Sequence, residues 1–371
     1  MANPPSKPQI LLPDDLILEI FARADVNTIG RSRTLCSYWN WELGTEEFVF
    51  KHLDAAKKRP ASIYVHFGVK GRRSLGSWVF RFNVDTGENE RLHIPFLRNS
   101  QGQFEVIGTD NGCMAIRYLC ISHPSNLIVW NPNTDQVTRI PDPMQHHCCI
   151  CASTYAFLYF PDSVGYVWIN IYKKKILDSQ SWLTSYSSVT GHWDSNFPCP
   201  PYVQGVDSRY VVNHGIVYWL NWNNHAQTSP QCIVHFSNFT NQFGFILIPV
   251  EARAMIQRLL ICEGCLYYAA VHAKSDSYRW LIWKIEEGNQ GYSWELSSQF
   301  GGHGSAESPE YLTHDYLVTV KDTSQPTRGT QFTITKLDTK NQQRRTLKVV
   351  EFPLSTYIKS LNLNFNTIVP V

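Results

Sequence analysis

A repeat of about 50 residues runs through most of the chain and restricts the fold more than any other feature of the sequence. Short alternating apolar runs lead repeatedly into polar turns, which are centred near residues 86, 134, 179, 240, 288 and 339. Three units then close on Ile-Pro, at Ile94-Pro95, Ile140-Pro141 and Ile248-Pro249. The sequence therefore predicts six copies of one β unit.

Each turn follows a run rich in β-branched and aromatic residues. These runs are Trp78–Asn83, Leu127–Asn131, Tyr166–Tyr172, Cys232–Asn238, Arg279–Ile285 and Gln331–Leu337. Further turn signals, Asn111-Gly112, His214-Gly215 and Glu263-Gly264, lie between β runs ahead of three of the turns. Each unit therefore holds about four strands.

Six four-stranded units of this period match the blades of a kelch-like β-propeller, and six such blades would close into a ring. We expect the ring to close by pairing the stretch Ile63–Phe67 with a C-terminal strand around Leu361–Phe365. The main structural alternative is an irregular β-sandwich.

The first sixty residues show helical spacing instead. Pro13 at a first helical position and the acids Asp14 and Asp15 predict a helix start. An apolar stripe follows on that helix, formed by Leu16, Ile17, Ile20, Phe21 and Ala24. A second short helix is expected after Asn27, with Asp25 as a possible cap.

Two more helices follow in the same region. Leu35, Trp39 and Leu43 recur at i, i+4 and i+8, and Gly44 stands where a C-terminal cap belongs. Thr45 is expected to cap a fourth helix that ends near Pro60. A helical unit this small has little core of its own, so its apolar stripe faces either another protein or the domain that follows.

The same residues resemble the F-box motif. The resemblance rests on Leu12-Pro13, Asp15-Leu16, Glu19-Ile20, Val26, Ile29, Arg31, Arg33, Cys36, Trp39, Phe48 and His52-Leu53. It implies a three-helix module that docks onto a Skp-type adaptor and through it onto cullin and RING subunits. By matching positions, the residues that dock or form the module's core are Leu12, Pro13, Leu16, Ile20, Val26, Ile29, Leu35, Cys36 and Trp39.

Four residues depart from the plant-like pattern of that family. Ala24-Asp25 stand where the family has Leu-Pro, Ser32 stands where it has an aromatic residue, and Ser37 where it usually has Lys. Losing a large apolar side chain from a docked face costs about 1 to 3 kcal/mol. These departures predict an altered affinity for the adaptor.

The β region resembles the F-box-associated domain of plant F-box proteins. The resemblance rests on Trp130-Asn131-Pro132, Thr134, Ile140-Pro141 and Val217-Tyr218-Trp219. It implies a domain that selects the protein to be ubiquitinated. We therefore expect a multidomain α and all-β chain, with an F-box at 8–55 and a β-propeller-like recognition domain of six kelch-like blades at 60–371.

Several patterns could carry other chemistry. Cys148 and Cys151, preceded by His146-His147, and the pair Cys262 and Cys265 have metal-ligand spacing, but the two pairs are far apart in sequence. We interpret them as structural thiols, with a zinc site as the alternative, and expect no cofactor. The basic runs at Arg72-Arg73, Lys173–Lys175 and Arg344-Arg345 are interpreted as solvated hairpin tips, with phosphate contact as the alternative. Aromatics such as Trp219, Trp222, Trp280 and Trp283 mostly fit alternating core positions, with the binding face of the propeller as the alternative for some of them.

Charge and motif content indicate a protein partner. Lys and Arg number 33 against 31 Asp and Glu, so no basic field favours nucleic acid or an acidic membrane. No secretion signal, membrane span, nucleophile elbow or phosphate-binding loop is found. Together with the two resemblances, which imply a substrate-recruiting subunit of an SCF-type ubiquitin ligase, these features favour a cytoplasmic or nuclear, non-catalytic protein with an unknown client. The alternative is a stand-alone propeller binding module or propeller enzyme.

Overall fold

The chain contains a short helical module, residues 12–59, and a large β domain that begins at residue 62. The computed structural model describes residues 12–59, 62–69, 77–84, 86–97, 103–119, 126–143, 153–160, 165–174, 178–194, 196–221, 232–254, 257–274, 277–288, 291–303, 308–313, 315–325, 329–340, 343–352 and 356–364.

Four helices make up the helical module: α1 (Asp14–Ala22), α2 (Val26–Arg33), α3 (Ser37–Glu42) and α4 (Glu46–Lys57). Two predicted caps are present, because the Asp25 carboxylate accepts from Thr28 N at 2.9 Å and the Thr45 hydroxyl accepts from Phe48 N at 3.3 Å. The prediction for Pro13 was wrong by one position. Its ψ of 143° is extended, so Pro13 precedes the first helical residue rather than occupying it.

The β domain consists of six sheets that serve as propeller blades. Blade 1 contains β25 (Thr356–Asn364), β1 (Ser62–Val69), β2 (Ser77–Asn83) and β3 (Asn89–Arg91), and blade 2 contains β4 (Gln103–Asp110), β5 (Cys113–Leu119), β6 (Asn126–Asn131) and β7 (Gln136–Pro141). Blade 3 contains β8 (Ser153–Phe160), β9 (Gly165–Lys173), β10 (Ser181–Ser187) and the short segments β11 (His192–Trp193) and β12 (Phe197–Pro198).

The other three blades each contain four strands in chain order. They are blade 4, with β13 (Val206–Asn213), β14 (Ile216–Asn221), β15 (Cys232–Ser237) and β16 (Gln242–Leu247); blade 5, with β17 (Gln257–Cys262), β18 (Cys265–Lys274), β19 (Ser277–Gly288) and β20 (Gly291–His303); and blade 6, with β21 (Ser308–Leu312), β22 (Tyr316–Gln325), β23 (Gly329–Asp338) and β24 (Arg344–Phe352).

The ring closes where the sequence predicted. β25 pairs antiparallel with β1, with Ile63 opposite Leu363 and Val65 opposite Leu361, while Phe365 lies outside the described residues. Six apolar clusters lie between successive blades, and the cluster between blades 6 and 1 completes the circle. The six-blade propeller is thereby confirmed and the sandwich alternative is wrong.

Tight turns join the strands on one face of the ring. Asn111-Gly112, His214-Gly215 and Glu263-Gly264 all have positive φ and connect the first two strands of their blades, as two-residue hairpins require. Between the third and fourth strands, a Thr is followed by a residue of positive φ in four blades, at Gly87, Asp135, Gly191 and Asn241. Because strands alternate in direction, both sets of turns lie on the same face, which we call the tight-turn face.

The predicted repeat is wrong by one strand in blade 3. Tyr166–Tyr172 belongs to β9, the second strand of blade 3, so the bend near Ser179 connects the second and third strands. The turn equivalent to the others is Ser188–Gly191, after β10. β9 and β10 are both rich in aromatic residues, and a polar stretch separates them, which made the earlier bend resemble the repeated turn. The Thr190-Gly191 pair is the signal that marks the true position.

Candidate functional site

An exposed apolar stripe on α1 is the main candidate for an interaction site. Leu12, Leu16 and Ile20 are 50%, 54% and 60% exposed. Leu16 and Ile20 are four residues apart and lie along one side of the helix, and Leu12 lies just before the helix begins. Ile17 and Phe21 point to the other side, where Ile17 is buried and the Phe21 ring meets Trp39 edge-on at 5.2 Å. The stripe is therefore surface that the helical module does not use for its own core.

The structure divides the nine residues that sequence placed in docking or core roles. The exposed ones are Leu12, Pro13, Leu16, Ile20 and Leu35. Val26 and Cys36 are half-buried, while Ile29 and Trp39 are buried in the module's core with Ile17, Ala22, Leu43 and Phe48. α1 carries Leu16 and Ile20, and Leu12 and Pro13 directly precede it, whereas Leu35 precedes α3 and is not the helical residue that its spacing predicted.

Trp41 is an exposed residue that the sequence did not single out. It is 47% exposed on α3, whose buried positions are Trp39 and, just beyond its end, Leu43. Tyr38, three residues before Trp41, donates to an Asp14 carboxylate oxygen at 3.3 Å and so joins α3 to the start of α1. The signal was available, because Trp41 lies off the i, i+4 line of the predicted core.

A buried polar cluster fixes the end of α1 against α4. Arg59 donates to Ala24 O at 3.0 Å and to Ala22 O at 3.3 Å, and His52 Nε2 lies 3.3 Å from Ala24 O. These contacts satisfy carbonyls that the end of a helix leaves without partners. Burial, with the nearby positive charge of Arg59, lowers the pKa of His52 to about 4. The imidazole is therefore neutral in the folded module at pH 7.

Two of the four residues that depart from the plant F-box pattern, Ala24 and Asp25, lie at the bend between α1 and α2. Asp25 caps α2 through its two bonds to Thr28, from the amide at 2.9 Å and the hydroxyl at 2.7 Å. The hydrogen bonds from Thr28 also lower the pKa of Asp25, so the cap stays charged. Ala24 provides the carbonyl that Arg59 binds. The chain thus keeps the bend between α1 and α2 without the Leu-Pro pair.

α4 attaches the helical module to the propeller. Val49 and Leu53 share a buried cluster with residues of blades 2 and 3, including Cys113 and Tyr159. At the first hairpin of blade 2, Asp110 accepts from Tyr159 N at 2.8 Å. Burial raises the pKa of Asp110 to about 6, and Lys57 of α4 is close enough to oppose that rise. The helices therefore lie on the tight-turn face, between blades 2 and 3, and the α1 stripe remains exposed in their presence.

The other sequence candidates are dispersed. Cys262 and Cys265 face each other across the Glu263-Gly264 hairpin as expected, and no group of three or more His, Cys, Asp or Glu close enough to hold a metal occurs in the described ranges. Several predicted features lie outside the described residues: His146, His147, Cys148, Cys151, Arg72, Arg73, Lys175 and Trp222.

The remaining candidates divide between core and surface. Trp219, Trp280 and Trp283 are buried. Lys174 is exposed with its ammonium 3.5 Å from the centre of the Trp182 ring, and Arg344 and Arg345 are exposed on β24. Across the described part of the chain, no helix is long and apolar enough to cross a membrane.

Two proteins of Arabidopsis thaliana are similar to this chain over long stretches. "Putative F-box protein At5g41510" is 25% identical over 309 residues, which cover 74% of this chain and 71% of that protein. "F-box protein At3g57590" is 24% identical over 234 residues, which cover 60% of this chain and 53% of that protein. The chain thus spans about half the length of the second relative.

A family model gives the firmest assignment. The model of the F-box protein At3g26010-like β-propeller matches residues 73–308. That range extends from blade 1 into blade 6 of the observed ring and includes the whole of blades 2 to 5. The chain therefore belongs to the At3g26010-like family of F-box protein β-propellers.

Proposed function

We propose that this chain is the substrate-recruiting subunit of an SCF-type ubiquitin ligase. The helical module docks onto a Skp-type adaptor, which links it to cullin and RING subunits, and the propeller binds the client protein. The observation that carries this proposal is the exposed stripe of Leu12, Leu16 and Ile20 in a chain whose family consists of F-box proteins. Burying these side chains against a partner removes apolar surface from water.

The attachment of the helices to the propeller suits this role. Because α4 packs into the cluster between blades 2 and 3, a client on the propeller is held in a fixed position relative to the adaptor. Proximity then raises the effective concentration of client lysines at the ubiquitin carrier, so the subunit needs binding energy and no catalytic group. We place this activity in the cytoplasm or nucleus, where thiols such as buried Cys113 and Cys232 stay reduced.

Isothermal titration calorimetry of the full chain with a recombinant Skp-type adaptor tests the docking step. Leu16→Ala and Ile20→Ala should each weaken binding by about tenfold, because anchors at the centre of an interface contribute on the order of 1 to 3 kcal/mol. Leu296→Ala is the matched control, since Leu296 is 52% exposed on β20 of the propeller. Its affinity should equal that of the wild type.

Two outcomes contradict the proposal. One is a wild-type chain that does not bind the adaptor, and the other is a Leu16→Ala, Ile20→Ala double variant that binds as tightly as the wild type. Circular dichroism of both variants checks that the helices remain folded. Client identity requires a separate measurement, namely mass spectrometry of proteins held by the full chain under proteasome inhibition.

A further inference from the structure

Exposed apolar side chains on the propeller are concentrated in two adjacent blades. Seven large apolar side chains of the described β domain are exposed. One of them, Leu296, lies alone in blade 5. The other six all fall in the outer parts of blades 3 and 4: Val189, Phe197, Phe239, Phe245, Leu247 and Val250. Exposed apolar residues scattered singly are normal, whereas their concentration in two neighbouring blades marks this side of the propeller as a candidate interaction site.

The outer strand of blade 4 differs in its charge from the outer strands of blades 1, 2, 5 and 6. β16 pairs with β15 and lies at the edge of its sheet among the described strands. No Asp, Glu, Lys or Arg occurs anywhere in residues 232–250. By contrast, β7 carries Arg139, β20 carries Glu295 and β24 carries Arg344. Charges on an edge strand discourage further strand pairing. The outer segments of blade 3, β11 and β12, are also uncharged but have only two residues each, so β16 is the longest uncharged outer strand among the described blades.

One side of β16 is apolar and faces blade 3. Phe243 packs on Phe236 with ring centres 4.9 Å apart, and Phe245 packs on Tyr202 at the same distance. Leu247 follows at the next position with the same orientation. Ile246 points the other way, into the cluster shared with blade 5. The alternation leaves Phe245 and Leu247 about half exposed, at 46% and 53%.

A groove of about 320 Å³ lies beside this strand, between blades 3 and 4. Leu183 and Phe236 are buried residues of its wall, Phe197 of β12 lies on the blade 3 side, and Asn241 and Gln242 provide its polar groups. All eight lining residues are uncharged. The volume is at the lower end of the range for ligand pockets, about 300 to 1,000 Å³, and suits one or two large apolar side chains.

We propose that β16 binds an extended, uncharged segment of a partner protein by β-strand addition, with an aromatic or branched aliphatic side chain of that segment in the groove between blades 3 and 4. Main-chain bonds to the open edge supply affinity, and the groove supplies specificity through alternate side chains. This binding does not depend on adaptor docking. Only the identification of the segment as part of the client rests on the proposed function.

Synthetic octapeptides that alternate threonine with phenylalanine or leucine, capped at both ends, are the probe. The full chain should bind them, as measured by fluorescence anisotropy, and hydrogen exchange should show new protection of alternate β16 amides. N-methylation of the odd-numbered or of the even-numbered peptide amides distinguishes strand addition from simple apolar adhesion. Because only one set of amides faces β16, one methylated peptide should lose binding and the other should keep it.

Variants of exposed residues complete the test. Phe245→Lys should weaken peptide binding by at least about tenfold, and Leu247→Lys provides the same test if the first variant does not fold. Leu296→Lys, equally exposed on β20, should leave the affinity within about twofold of the wild type. All three variants should bind the Skp-type adaptor as the wild type does, so this result is independent of the docking test.

Several results would overturn the inference. They are the absence of binding by all the octapeptides, equal binding of both methylated peptides, or unchanged affinity of Phe245→Lys and Leu247→Lys. A different set of results would assign the β16 edge to a second copy of this chain. In that case the wild type binds no peptide and is dimeric in light scattering, and the Phe245→Lys variant is monomeric.

Discussion

The helical module and the propeller bury their apolar residues in different ways. The helical module has one core cluster, and five of its large apolar side chains are exposed within residues 12–59: Leu12, Leu16, Ile20, Leu35 and Trp41. The much longer described β domain exposes seven, because each blade is covered by a neighbour on both sides around the closed ring. A small helical unit cannot cover its own surface, so what it leaves exposed is available to a partner.

Among the described residues of the propeller, six of the seven exposed large apolar side chains lie in blades 3 and 4 or directly after them, and two of the six, Phe245 and Leu247, are on the uncharged edge strand β16. In both regions, buried apolar residues should stabilise the fold, whereas exposed apolar residues should contribute little to stability. Substituting one buried and one exposed residue of the same type measures this difference.

The largest expected effect separates two isoleucines of the helical module. Ile29 is completely buried and Ile20 is 60% exposed. Ile29→Ala should lower the free energy of unfolding of the helices by about 4 kcal/mol, through lost burial and a cavity, whereas Ile20→Ala should change it by less than about 0.5 kcal/mol. Hydrogen exchange of the α1 and α2 amides measures both. Equal losses from the two variants would remove the distinction between core and docking face.

The next effect concerns close packing at the centre of the propeller. A Cβ added at Gly108 of β4 would overlap the hydroxyl of Tyr210, which reaches from β13 and accepts from Phe157 N at 2.9 Å. Gly108→Ala should therefore destabilise the propeller by about 3 kcal/mol, measured by urea unfolding. The double variant Gly108→Ala, Tyr210→Phe should recover part of the lost free energy of unfolding, because the Tyr210 hydroxyl is removed. If Gly108→Ala alone left the free energy of unfolding unchanged, the tight packing at Gly108 would be contradicted.

A pH effect is expected in the helical module. Because the pKa of His52 falls to about 4 in the folded chain, the unfolded chain binds more protons between about pH 4 and pH 6.5. The stabilising contribution is thus complete above pH 6.5 and is lost as the pH falls toward 4, by roughly 3 kcal/mol.

Regional hydrogen exchange of α1 and α4 at several pH values measures this loss. His52→Gln should flatten the pH dependence in this window. The same slope in the variant and the wild type would assign the effect to another group.

The smallest effect is a gain. Gly30 lies inside α2, and a Cβ added there meets nothing within 4 Å. Gly30→Ala should stabilise the helices by about 1 kcal/mol through helix propensity. Thermal unfolding detects the change, and a loss of stability would show that α2 needs the glycine for a contact with a partner or a neighbour.

Local chemistry was predictable from the sequence. The caps at Asp25 and Thr45 and the hairpins at Asn111-Gly112 and Glu263-Gly264 were all confirmed, since a cap or a two-residue turn depends on a few neighbouring residues. The predicted register of blade 3 was wrong because two successive strands, β9 and β10, both show the alternating apolar pattern that was used to place the repeat. There the tertiary pairing of β9 with both β8 and β10 decides which strand is second.

The residues of the proposed docking site show the same limit. Sequence grouped Leu16, Ile20, Ile29 and Trp39 together, since all are apolar at matching positions of the F-box pattern. The structure separates the exposed Leu16 and Ile20 from the buried Ile29 and Trp39. Periodicity shows that a helix has an apolar side, but it does not show which apolar side chains another helix covers.

The sequence by itself determined the elements, their period and the closure of six blades, because alternation, turn residues and spacing act between near neighbours or recur along the chain. Only the tertiary structure decided which apolar surfaces stay uncovered. Val49 and Leu53 of α4 are buried because blades 2 and 3 lie against them, while Leu16 has no such cover and remains exposed. Burial depends on partners that are distant in sequence, and for this reason the exposed faces of α1 and β16 become visible only in the folded chain.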